Sequence, residues 1–118
     1  MYEYAARVVK VVDGDTVDLT VDLGLRTYQQ ARVRLYGINA PEHNTPEGVT
    51  SKAWLEQQLP VGLAVVVQTH KDKTEKYGRW LADIFVSHED LVAGHSVNAV
   101  SVEAGMAKDW DGKGARPV

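Results

Sequence analysis

A mainly β (α+β) barrel of five short strands, with one or two helices packed on it, is the fold class that this 118-residue sequence predicts. Three observations carry it. Apolar and polar residues alternate over short runs, as in half-buried strands. Those runs are punctuated by Asp-Gly and Gly turns. Only two segments open with helix-start signals, and one of them is rich in Val.

The first third reads as three strands in an antiparallel meander. "YAARVVKVV" (4–12) turns at "DGD" into "TVDLTVDL" (16–23), and a turn near Gly24 leads into "TYQQARVRLYGI" (27–38). In the third run Val33 and Leu35 take one face, and Arg32 and Arg34 the other. "NAPEHNTPEG" (39–48) is a loop punctuated by Pro41 and Pro46. Thr45 as N-cap and Pro46 at the first helical position start a helix through "EGVTSKAWLEQQL". Its apolar stripe is Val49, Ala53, Leu55 and Leu59, and Pro60 and Gly62 end it. "LAVVVQT" (63–69) and "RWLADIFV" (79–86) supply two more strands, joined by the charged segment "HKDKTEKYG". "SVNAVSVEAG" (96–105) reads as a short helix with a Ser N-cap, apolar positions 97, 100 and 104, and a Gly end. That order fits a five-stranded Greek-key barrel of the OB type.

Composition bounds the rest. Hydrophobic residues make up 44% and charged residues 25%, which suits one core and one domain spanning residues 1–118. There are no cysteines, so disulfides, thiolate metal sites and cysteine nucleophiles are excluded. No apolar run is long enough to span a bilayer, and the start lacks a secretory pattern, so a cytoplasmic protein without membrane attachment is expected, although a mature secreted domain would read the same way. The net charge of −3 argues against a bulk electrostatic nucleic-acid binder, though not against an enzyme that grips one phosphate locally.

Chemistry concentrates in three polar segments at strand ends: "DGDT" (13–16), "RLYGINAPE" (34–42) and "TEKYGR" (74–79). Stepping back along the inward parity of Val17, Leu19, Val21 and Leu23 lands on Asp15, a carboxylate at the mouth of an apolar face. The turn itself needs only Asp13 and Gly14. Taken singly, each segment reads as an ordinary turn, loop or solvated strand. Together they supply Asp15, Glu42, the amide of Asn39, and Arg34 and Arg79. Oxygen donors suit a hard cation, guanidinium forks hold phosphate, and a carboxylate can take a proton from water. That set points to phosphodiester chemistry. The histidines at 43, 70, 88 and 95 lack paired metal spacing and read as surface or loop residues. Trp54 and Trp80 could stack on bases, but Trp80 sits in an apolar strand and is expected in the core.

"DGDT", "RLYGINAPE", "EKYGRWLA" and "VNAVSVEAGMAK", in this order, resemble the staphylococcal nuclease-like (thermonuclease) family from about Val8 to Lys108. The resemblance implies an OB-fold barrel and a calcium-dependent endonuclease, with magnesium the second choice of ion. Single-stranded or locally open DNA and RNA would be cut with little sequence preference, by water attacking phosphorus in line and leaving 3′-phosphate ends. It implies Asp15, Asn39 and the Ala40 backbone carbonyl as metal ligands, and Arg34, Glu42 and Arg79 as catalytic residues. Lys76 and Tyr77 would contact a terminal phosphate, and Asn98 and Gly105 would be structural. A monomer is expected. Two departures stand out. Asn39 replaces the family's aspartate, which removes one ligand charge. The aromatic expected after Gly105 near the sugar or base would align with Asp111, or be supplied by Trp110. The alternative reading is a weak or inactive member that binds nucleic acid or protein without cutting.

Overall fold

A computed structural model describes residues 2–74 and 80–110 of the chain. Its elements run β1 (Tyr2–Asp13), β2 (Thr16–Asp22), β3 (Tyr28–Leu35), β4 (Ile38–Asn39), α1 (Pro46–Gln58), β5 (Ala64–Thr74), β6 (Trp80–Phe85), α2 (His88–Ala93), α3 (Val97–Glu103) and β7 (Lys108–Asp109). Five strands close into a barrel in the order β1-β2-β3-β6-β5, with β5 returning to β1. All pairings are antiparallel except β3 with β6. This is the five-stranded OB-type barrel that the alternation predicted. Val17, Leu19, Leu35 and Ile84 are wholly buried inside it. Register shifts in β1 between Val8 and Lys10 and between Val11 and Asp13 mark bulges, the second beside the turn that carries Asp15.

α1 begins as predicted. The Thr45 hydroxyl accepts from the Gly48 N–H at 3.0 Å, and Pro46 opens the helix. Its buried face differs from the expected stripe: Gly48, Ser51, Leu55 and Leu59 face inward, while Val49 is 61% exposed and Ala53 is also exposed. The reason is close approach. A Cβ on Gly48 would lie 1.7 Å from the Glu42 carbonyl oxygen, and one on Gly14 would lie 2.2 Å from Ser51 Oγ. Where backbone meets helix this tightly, the first two turns present small residues and the apolar pattern is silent.

Four further features depart from expectation. The third strand is not continuous over 27–38: Gly37, at φ 80°, breaks it and starts β4, which pairs with β7. α2 was not foreseen, although Ser87 caps it and Gly94 ends it in the left-handed region. In α3 the buried residues are Val97, Asn98 and Ser101, whereas Val100 and Ala104 face outward. Trp80 is 43% exposed at the start of β6 rather than packed in the core, while Trp54 packs partly against it.

Two contacts on α3 set the position of the barrel mouth. Asn98 is buried, as the resemblance implied. Its Nδ2 donates to the carbonyls of Tyr36 at 2.9 Å and Ala82 at 3.0 Å, and its Oδ1 accepts from Ile84 N–H. This ties α3 to β6 and to the turn leading into β4. The helix then ends in a Schellman motif: Gly105 N–H bonds Val102 O, Met106 N–H bonds Ser101 O, and Gly105 takes φ 76°. Ser51 Oγ donates to Met106 O at 2.8 Å, anchoring the returning chain on α1. β7 can then run beside β4.

Candidate active site

The site forms where β2 begins, β3 ends and β4 passes over them. Thr16 pairs with Arg34 across the β2–β3 ladder, and Leu35 N–H donates to Asp15 O at 2.8 Å. Asp15 is 8% exposed and Arg34 only 5%, so two opposite charges are buried together. Arg34 has the outward parity of β3, yet Asn39 and Trp110 stand over it and exclude water.

The polar contacts converge. Arg34 Nη2 donates to Asn39 Oδ1 at 3.1 Å and, at a long 3.4 Å, to Asp15 Oδ2. Ala40 N–H donates to the same Asp15 Oδ2 at 3.0 Å, and Thr16 Oγ1 donates to Asp15 Oδ1. The Asp15 carboxyl is nevertheless pushed up to about 6. Burial is the main cause, and the neighbouring Asp13 carboxyl adds to it, outweighing the Ala40 N–H and the Arg34 charge. Asp13 is therefore more than a turn residue, since its Oδ1 also accepts from Asp15 N–H. The "DGD" spacing alone could have signalled the pair, because residues two apart across a tight turn bring their carboxylates close.

A groove of about 980 Å³ opens from this cluster, lined by Asn39, Ala40, Glu42, Thr45, Met106 and Lys108 among others. Glu42 is exposed on its wall. Its backbone is clamped to the start of α1, its carbonyl accepting from Thr45 Oγ1 at 2.7 Å and from Thr45 N–H. The structure thus brings Asp15, Arg34, Asn39 and Ala40 together and sets Glu42 on the adjoining groove. Arg79, Lys76 and Tyr77, as well as Asp111, lie outside the described residues.

The donor set fits a hard cation in part. Asp15, the Asn39 amide oxygen and the Ala40 backbone lie together, and crowding between Asp13 and Asp15 is repulsion that a divalent ion would relieve. Among the described residues, no three acids or histidines cluster closely enough to cage a metal by themselves. The amide and carbonyl oxygens would have to complete the shell.

The remaining polar candidates fall elsewhere. His43 is exposed in the loop after Glu42. His70, read as a surface or loop residue, is instead half-buried in β5, with Nε2 2.8 Å from Asp83 Oδ2 and its ring stacked on Tyr36 at 3.6 Å. Trp110 brings an aromatic ring to the site, against Arg34.

Comparison with known proteins identifies the family. A family model described as staphylococcal nuclease homologue matches residues 32–115. The chain is 36% identical over 111 residues to Protein ParB of Escherichia coli, covering 89% of this chain and 56% of that protein. It is 29% identical to a micrococcal nuclease of Shigella flexneri, over 89% of this chain and 58% of the relative. An uncharacterised protein of Methanocaldococcus jannaschii is 31% identical over 74% of this chain and 51% of its own length. The chain therefore spans little more than half the length of the curated relatives it matches.

Proposed function

The chain belongs to the staphylococcal nuclease homologue family, and from that premise we propose that it is a calcium-dependent phosphodiesterase cutting DNA and RNA with little sequence preference. One observation carries the reading: a buried guanidinium, Arg34, gathers the oxygens of Asp15 and Asn39 beside a groove that Glu42 lines.

Arg34 offers a planar fork of N–H donors that holds a phosphate in its plane and stays charged at any working pH. Burial strengthens that grip, because little water competes for the donors. Arg79, one residue before β6, would be the second cation. Glu42, on the groove wall, accepts the proton of a water that attacks phosphorus in line. The bond from phosphorus to the 5′ oxygen then breaks, that oxygen leaves as an alcohol after taking up a proton, and a 3′-phosphate end remains. Asp15, Asn39 Oδ1 and the Ala40 carbonyl would hold a calcium ion, which supplies Lewis-acid polarisation of a phosphoryl oxygen when bound. Lys76 and Tyr77 would take a neighbouring phosphate.

The test is release of acid-soluble nucleotides from heat-denatured DNA in millimolar calcium, then magnesium, then excess chelator. Calcium-dependent release by the wild type that is lost in Glu42→Gln and Arg79→Ala supports the proposal. A second reading draws on the uncharged Asn39: binding without cleavage. Retention of single-stranded DNA with no release under either metal, in a folded protein, would favour it and overturn the first.

A further inference from the structure

The Arg34 guanidinium lies over the Trp110 ring, its carbon 5.1 Å from the ring centroid. That is within the range at which an aromatic quadrupole attracts a cation, and the attraction grows when water is excluded. Arg34 is 5% exposed, so it is excluded here.

The ring's position follows from backbone pairing. β7 meets β4 at Ile38 with Asp109 and Asn39 with Lys108, and Trp110 N–H then donates to Gly37 O at 2.8 Å. Three consecutive residues after the α3 cap are thereby pinned beside the strand that carries Asn39. Asn39 Oδ1 takes one N–H donor of Arg34, while the Trp110 ring lies under the guanidinium carbon. The two contacts divide the work by geometry. A phosphate binds a guanidinium through its N–H donors, whereas the ring attracts the cation's charge through its own π face. The contact thus holds the group in place without a lone-pair acceptor competing for ligand.

We propose that Trp110 is a positioning residue, holding the Arg34 guanidinium so that its N–H donors face the scissile phosphate. The catalytic half of this inference rests on the phosphodiesterase reading; the contact between Arg34 and Trp110 does not. The experiment therefore has two readouts on Trp110→Leu and Trp110→Phe, chosen because both keep an apolar side chain and only one keeps a π face. Thermal unfolding confirms that each variant is folded.

In the first readout, the side-chain Nε–Hε resonance of Arg34 in the ligand-free protein is shifted by the ring current. It moves toward the free-arginine position in Trp110→Leu and less in Trp110→Phe. In the second, Trp110→Leu lowers kcat on single-stranded DNA by about five- to thirty-fold with KM within about twofold, and Trp110→Phe recovers most of the loss. An Arg34 resonance indifferent to both substitutions overturns the inference whatever the activity. A rise in KM with kcat unchanged also overturns it, since the ring would then be touching substrate. A wild type that cleaves nothing, while the Arg34 resonance responds as described, leaves the contact standing and refutes the phosphodiesterase reading instead.

Discussion

Arg32 and Arg34 stand two residues apart on β3, each beside an aspartate, and the two pairs are built for different ends. Arg32 meets its register partner Asp18 through two bonds, Nε to Oδ1 at 2.8 Å and Nη2 to Oδ2 at 3.1 Å, out in solvent. Its hydrogen bond holds the Asp18 carboxyl below the ordinary aspartate range. Arg34 reaches Asp15 by a single 3.4 Å contact under cover of the protein, and Asp15 sits far above that range. The exposed pair is geometrically complete and fastens a ladder. The buried pair shares one long contact, and each member is held by other groups as well: Asp15 by Ala40 N–H and Thr16 Oγ1, Arg34 by Asn39 Oδ1. The proposed function gives the buried pair a ligand to meet; the exposed pair has only its ladder.

The sharpest break of the comparison is to give both arginines the same substitution. Arg34→Lys loses the planar fork at the reacting phosphate and should lower cleavage of single-stranded DNA by about 10²- to 10³-fold. Arg32→Lys, two residues away, should leave cleavage within about twofold. Steady-state rates on one substrate decide this, with thermal unfolding to show that both variants fold. Equal losses would mean that the strand, not the guanidinium at its end, matters.

The aspartates should separate by pH in chelator. Asp15 binds its proton more tightly in the native state than in the unfolded chain, so its own contribution to stability is greatest at low pH and is lost as pH rises from about 4 through about 6. The rise from 3.8 to about 6 corresponds to about 3 kcal/mol lost at pH 7.5, before allowing for relaxation. Asp15→Asn removes the charge but weakens the bonds to Ala40 and Thr16. A net gain of about 1–2 kcal/mol at pH 7.5, shrinking to well under 1 kcal/mol at pH 4, is expected in urea unfolding. Asp18 has the opposite sign. Its contribution is present above the unfolded value and is lost as pH falls through the lower folded one, so Asp18→Asn should destabilise slightly at pH 7.5 and not at the acid end. A destabilised Asp15→Asn at pH 7.5 would show that the buried carboxylate is better satisfied than its contacts suggest.

Asn39 sharpens the contrast from the ligand side. Asn39→Asp adds a charge among the oxygens proposed to hold calcium, and should tighten calcium binding by roughly ten-fold. The check is the calcium dependence of the unfolding midpoint, which rises with ligand bound to the native state. No tightening would mean that Arg34 takes up the added charge and that Asn39 is not on the metal side of the guanidinium.

Much of this site was legible because strand parity is a hard constraint. Alternation through Val17 and Leu19 aimed Asp15 at the barrel mouth, and Thr45 with Pro46 marked the start of α1. Other parts were illegible for identifiable reasons. The inward face of α1 is Gly48 and Ser51 before it is Leu55, since contact with the Glu42 and Gly14 backbones leaves no room for larger groups. α2 is six residues without an apolar stripe, visible only in its caps. β4 and β7 are two residues each, too short for any period to register, and it is their pairing that lays Trp110 on Arg34. Asp13 reads first as a turn residue, although its spacing of two from Asp15 is itself the signal that the carboxylates are close.

The far end of the β2–β3 hairpin supplies the smallest expected effect and the control for the rest. At this tip Leu25 and Arg26 both hold positive φ, 53° and 61°, and Leu25 is wholly exposed. Thr27 N–H closes the turn on Gly24 O at 2.9 Å. Two consecutive left-handed positions are the geometry of a primed hairpin turn, for which Asn-Gly is suited and Leu-Arg is not. The tip is therefore strained at its backbone, whereas the site end carries a raised Asp15 carboxyl, and only the second is placed where the proposed function puts a ligand. Replacing the pair, Leu25→Asn with Arg26→Gly, should raise stability by about 1 kcal/mol, the relief at φ exceeding the added freedom of glycine in the unfolded chain. Cleavage should be unchanged, because the register between Thr16 and Arg34 is held by the ladder rather than by the turn. A stabilised protein with reduced cleavage would show instead that the two ends of the hairpin are mechanically coupled, and the contrast between them would have to be redrawn.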